Sequence, residues 1–181
     1  SFSHIIERCT QYDRFHFIFA SEWGYASQLD RAVAISIMQS LWDSVEADTF
    51  LSLREEGYLD QVEPYELMTL FSIADLQISN ISSSRMMRTA NMPILDSSTI
   101  FPYGIDVVNE TYQGSVGVFF DGGYVHAPDG NEYGVEPHPA HNAIGGLKIA
   151  RDMAFAFLQM EDILDTCNGN CTFSPDNLSW N

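Results

Sequence analysis

The sequence predicts an α+β fold, with long N-terminal helices, a small antiparallel sheet in the C-terminal half and a closing C-terminal helix. Three observations lead there. Apolar residues recur at helical spacing through Leu29, Val33, Ile37, Leu41 and Val45, with no Gly or Pro between Leu29 and Gly57. From Pro93 onward the chain becomes rich in β-branched and aromatic residues punctuated by turn formers. After Gly146, the run LKIARDMAFAFLQMEDIL is again helical in pattern. The organisation expected is a helical region over 1–92 and a strand-rich α+β region over 93–181, packed together as one domain.

Taken in order, His4 to Trp23 carries apolar positions at Ile5, Ile6, Phe15, Phe17, Ile18 and Phe19, and the alternation Arg14-Phe15-His16-Phe17 leaves strand open beside helix. Ser27 starts the helix whose apolar stripe runs from Leu29 to Val45. Pro64, beside Glu63, suits the first turn of a second helix continuing through LMTLFSIADLQIS. The polar run Ser79 to Ser84 reads as a loop or frayed end before a short piece from Arg85 to Thr89. Strands are expected near Ile105 to Val108, Gly114 to Phe120 and Gly123 to His126. The first two are joined through Asn109-Glu110 and the last two form a hairpin at Asp121-Gly122. Pro128-Asp129-Gly130-Asn131 is a further turn.

Charge excludes some partners. Among 181 residues, 25 are acidic and 8 basic, Lys148 being the only lysine, for a formal charge of −17. Such a surface repels phosphate, so neither nucleic acid nor an anionic membrane is an expected partner. No run of about 18 apolar residues marks a membrane span, and no basic, apolar leader opens the sequence, which therefore reads as a soluble mature chain or the soluble part of something larger. Cys167 and Cys171 flank the flexible Asn168-Gly169-Asn170 and are expected to form a local disulfide, with Cys9 far away in sequence. Together with glycosylation triplets at Asn80, Asn109, Asn170 and Asn177, the disulfide points to export, in a secreted, extracellular or periplasmic setting.

Any chemistry is expected between Tyr112 and Gly146, where strand, turn and histidine gather. The succession IDVVNETYQGSVGVFFDGGYVHAPDG resembles the strand and turn pattern of extracellular Cache-type and PAS-like sensor domains. The resemblance implies a central strand at YQGSVGVFF, an adjoining hairpin at DGGYVHAPDG, and a ligand pocket bordered by Tyr112, Phe119, Tyr124 and His126. A second stretch, VEPHPAHNAIGGLKIARDMAFAFL, is similar to the closing block of SGNH-type esterases, which implies His138 as general base. That family's Gly-Asp-Ser block is missing, and Val135 stands where its Asp would be, leaving Glu132 or Glu136 as the carboxylate.

No cofactor is expected, although Asp129, Glu132, His138 and His141 carry the donor types that suit a divalent cation. Asp121, Asp129, Asn131 and Glu132 offer calcium-type oxygens without the spacing of an EF-hand loop. The expected function is an exported domain binding a small ligand or protein partner, the sensory ectodomain of a larger receptor, dimerising through its helices. The alternatives are an esterase using His138 and a structural or assembly protein.

Overall fold

The computed structural model describes residues 2–10, 12–54, 63–126, 139–159 and 163–179. Helices α1 (Phe2–Arg8), α2 (Tyr12–Phe17), α3 (Gln28–Trp42) and α4 (Ala47–Phe50) form an N-terminal layer. Strand β1 (Met68–Ser72) leads to α5 (Asn80–Thr89), followed by β2 (Ile94–Leu95), β3 (Val107–Val108) and β4 (Val116–Phe120); α6 (Ala140–Gly146) and α7 (Lys148–Leu158) close the fold. The segment Arg14 to Ala20, left open between helix and strand, is helical, ending in a π-turn over Ile18–Glu22.

The α+β class holds, but the sheet is parallel rather than antiparallel. Among the described residues the strand order is β1-β4-β2-β3 and every pairing is parallel. The reason lies in β4: all five residues of VGVFF are buried, the mark of a strand covered on both faces rather than one alternating between core and water. Val116, Val118 and Phe120 pack with Ala150 and Met153 of α7, while Phe119 joins Met87 of α5 and Ala90 just after it. The sheet therefore lies between α5 and α7. Gly117 allows this closeness, since a Cβ there would sit 2.4 Å from the Met87 Cε.

Several local expectations change with it. Asp121-Gly122 does not turn a hairpin: Asp121 Oδ1 accepts from the Gly123 N–H at 2.7 Å, and Gly123 takes φ +68°. The Asp121 N–H instead donates to Cys171 O and Asp121 O accepts from the Phe173 N–H, both at 2.9 Å, so the C-terminal segment takes the pairing a returning strand would need. No strand forms over Gly123 to His126. Residues 68–72, expected as helix, are β1, a short apolar run that periodicity alone does not assign. The expected loop at Ser79 to Ser84 is the start of α5, where Ser82, Ser83 and Ser84 are buried and the Ser84 hydroxyl donates to Asn80 O. Helix α3 forms where expected, and its apolar row lies outside the core. Ile35 and Gln39 are buried, while Leu29, Val33, Ile37 and Leu41 are exposed. Gln39 fits inside because its amide is paired: Oε1 accepts from the Ser3 N–H, and Nε2 donates to Asp43 and Glu46.

Candidate functional site

The chain leaves β1 through a strained corner. The Ile73 N–H still donates to Phe120 O, but Ala74, buried, adopts φ +62°, a left-handed conformation that is uncommon outside glycine. One side chain braces this corner. Asn80, at the start of α5, accepts from the Ala74 N–H through Oδ1 at 3.0 Å and donates Nδ2 to Ser72 O at 2.8 Å. The bend aims Asp75 along the carboxyl edge of the sheet. Asp75 Oδ1 accepts from the Gln77 and Ile78 N–H groups at 2.8 and 2.9 Å, and this fixes the carboxylate plane.

Asp75 Oδ2 is left for a partner in α6. His141, in that helix's first turn, places Nδ1 2.9 Å from Oδ2; the His141 side chain is 33% exposed and that of Asp75 12%. A carboxylate at Nδ1 selects the tautomer with its proton there, leaving the Nε2 lone pair as the basic position. Among the described residues, nothing hydrogen-bonds to Nε2. The pair stands beyond the carboxyl ends of parallel strands, where open sheets of this kind receive their ligands. Beyond the carboxyl end of β2, Ser98 Oγ accepts from the Phe119 N–H, and Ser97 O accepts from the Cys171 N–H.

The residues expected to border one pocket are not brought together. Phe119 is fully buried in the core. Tyr112 is half-buried and lines a groove of about 290 Å³ at the opposite, amino edge of the sheet, with Met87, Arg88, Asn91, Met92 and Asp106. Tyr124 packs edge-on against Phe173, with ring centroids 6.0 Å apart, and burial raises its phenol above the ordinary value. His126 is exposed. Asp129, Glu132 and His138 lie outside the described residues. Sequence reasoning notes His141 only as one of four donor types that would suit a cation, and does not pair it with Asp75. The available signal was an Asp directly after an apolar β-prone run.

Cys167 and Cys171 form the expected disulfide, and Cys9 is a buried free thiol. Among the described residues, Asp165 with these two cysteines is the one grouping of three donors at ligating distances. Its donor set does not suit a cation, because the sulfurs are bonded to each other and the Asp165 carboxylate accepts from the Cys167 and Gly169 N–H groups, both at 2.9 Å. Of the glycosylation triplets, Asn109, Asn170 and Asn177 are exposed, whereas the Asn80 amide is committed to the β1 corner.

Fold and site together define an α+β domain with a parallel sheet and a carboxylate-held imidazole at the sheet's carboxyl edge. No protein family, curated protein or solved structure matches the chain. Among the described residues, no helix is long and apolar enough to cross a membrane. The disulfide is compatible with an oxidising compartment.

Proposed function

We propose that this chain is an exported hydrolase of the ester-cleaving type, with His141 as general base and Asp75 as its positioning residue. One observation carries this reading, the 2.9 Å contact between Asp75 Oδ2 and His141 Nδ1 at the carboxyl edge of the sheet. The likeness of residues 135–158 to the closing block of SGNH-type esterases supports it, but the base moves from His138 to His141. In the reaction, Nε2 takes a proton from water as the water oxygen bonds to the ester carbonyl carbon. The tetrahedral intermediate then expels the alkoxide, which recovers that proton from the imidazolium, giving acid and alcohol. Asp75 stabilises the transient imidazolium without taking its proton.

Short-chain aryl esters test the reading on the full chain. His141→Gln is expected to lower kcat/KM by about 100-fold or more, within the usual contribution of a general base, with His138→Gln near the parent value. Activity retained in His141→Gln but lost in His138→Gln would return the base to His138. A parent chain without esterase activity would reject the hydrolase.

A second reading, recognition without turnover, is favoured by the groove beside Tyr112. There Arg88 and Asp106 line one groove together with Met87, Met92 and Val108. On this reading the chain is the ligand-binding ectodomain of a receptor. Ligand-dependent thermal stabilisation abolished by Tyr112→Ala, with ester hydrolysis absent, would favour it over the first.

A further inference from the structure

Helix α3 turns its most apolar row to solvent. Leu29, Val33, Ile37 and Leu41, each four residues from the last, are 71%, 51%, 65% and 73% exposed, and Val45 in the following turn continues the row at 72%. Ala32, Ser36, Ser40 and Ser44 form the adjacent row, also at four-residue spacing, so a ridge of large side chains lies beside a furrow of small ones. The furrow is less polar than its composition suggests. The Ser40 hydroxyl donates to Ile37 O at 2.7 Å and the Ser44 hydroxyl to Leu41 O at 3.0 Å, so covering them strands no donor.

We infer that this face of α3 is a self-association surface, occupied by α3 of a second copy of the same chain across a two-fold axis. Two features select a copy of itself. Ridge and furrow lie side by side on one helix, so the ridge of each copy fits the furrow of the other, the interdigitation of four-residue rows that crosses helices at about −50°. Charge makes the same choice. Residues 32–42 contain no charged side chain in a chain of formal charge −17, so two copies meet here with the least apposition of like charge. The exposed row offers roughly 500 Å² of apolar area per copy, below the ~800 Å² per partner of a standard stable interface. The dimer is therefore weak and concentration-dependent, in contrast to a permanent one.

Sedimentation equilibrium of the full chain, from about 5 to about 500 μM, reads this directly, a weak dimer dissociating at tens of micromolar. The mass is expected to rise from one chain towards two across that range. Added salt is expected to strengthen association several-fold, because it screens the repulsion between acidic copies. Ile37→Asp, on an exposed position, is expected to stay monomeric with an unchanged circular dichroism spectrum. Ser40→Gln fills the furrow without adding charge and is expected to weaken association about 10-fold, a loss of packing fit. One-chain mass at every concentration and salt would overturn the inference, as would association that survives both substitutions.

Discussion

The two edges of the sheet differ in how their polar groups are held. At the carboxyl edge, Asn80, Asp75 and His141 come from separate elements and are fixed by hydrogen bonds to backbone and to one another. At the amino edge, Arg88 donates Nε and Nη2 to the Tyr103 carbonyl, and Arg88 and Asp106 line one groove, with no ion pair between the two. Both edges offer charged groups near apolar surface, but among the described residues it is the carboxyl edge that sets an imidazole against a carboxylate. Residue types are therefore a weaker guide to reactivity here than the bonds that hold them, because a base works only from a defined position.

The contrast can be broken first at Asn80. Asn80→Ala removes the acceptor for the buried Ala74 N–H at a left-handed residue, a loss of about 2 kcal/mol for an unsatisfied buried donor, or roughly 4–8 °C in Tm for a chain of this size. Ester turnover should fall with it, since the corner aims Asp75. Arg88→Ala sharpens the same contrast from the other edge. It removes two exposed hydrogen bonds and is expected to cost less than about 1 kcal/mol, leaving turnover at the parent level. If Arg88→Ala lowers turnover as much as Asn80→Ala, the two edges are not functionally distinct.

The smallest effect concerns the N-terminal layer, away from both edges. Burial raises the Glu7 carboxyl above its ordinary value, an effect that Arg8 partly opposes, and Glu7 Oε1 is buried without a hydrogen-bond partner. Below the ordinary carboxyl range both folded and unfolded chains keep this proton, and Glu7 contributes no penalty. As pH rises, the unfolded chain releases its proton first, so stability falls until the folded-state value is passed. Glu7→Gln should raise Tm slightly at neutral pH, with the difference shrinking as pH falls through the ordinary carboxyl range, as read by thermal denaturation across that range.

Much of the fold was legible where sequence pattern and structure share one cause. Helix α3 was found from its four-residue spacing and α7 from its apolar run, and the disulfide from two cysteines around a flexible turn. Strand direction was not legible. VGVFF is apolar at every position because helices cover both its faces, and the Asp-Gly after it looks like a hairpin although Asp121 closes the turn on itself. Which face of α3 is buried was not legible either, for a related reason. Its periodicity locates a helix, but Gln39 enters the core through three hydrogen bonds while the aliphatic row stays outside.

The candidate site was half legible. His141 stands out in the sequence only as a donor type that would suit a cation, and Asp75 lies in a segment read as helix, so the corner after β1 could not be anticipated. Only the parallel sheet gives that corner its meaning, by making the ends of β1 and β4 one edge.

The central claim is that Asp75 fixes the His141 imidazole with its proton on Nδ1. Long-range nitrogen–proton correlation NMR of the histidine rings at mildly alkaline pH measures this directly, with His141→Gln assigning the signal. The parent chain is expected to show His141 as the Nδ1–H tautomer. In Asp75→Asn the amide oxygen can keep the Gln77 and Ile78 N–H groups while its NH₂ faces the ring, so the proton is expected to move to Nε2. A His141 ring that shows the Nε2–H tautomer in the parent, or a spectrum unchanged by Asp75→Asn, would contradict the account.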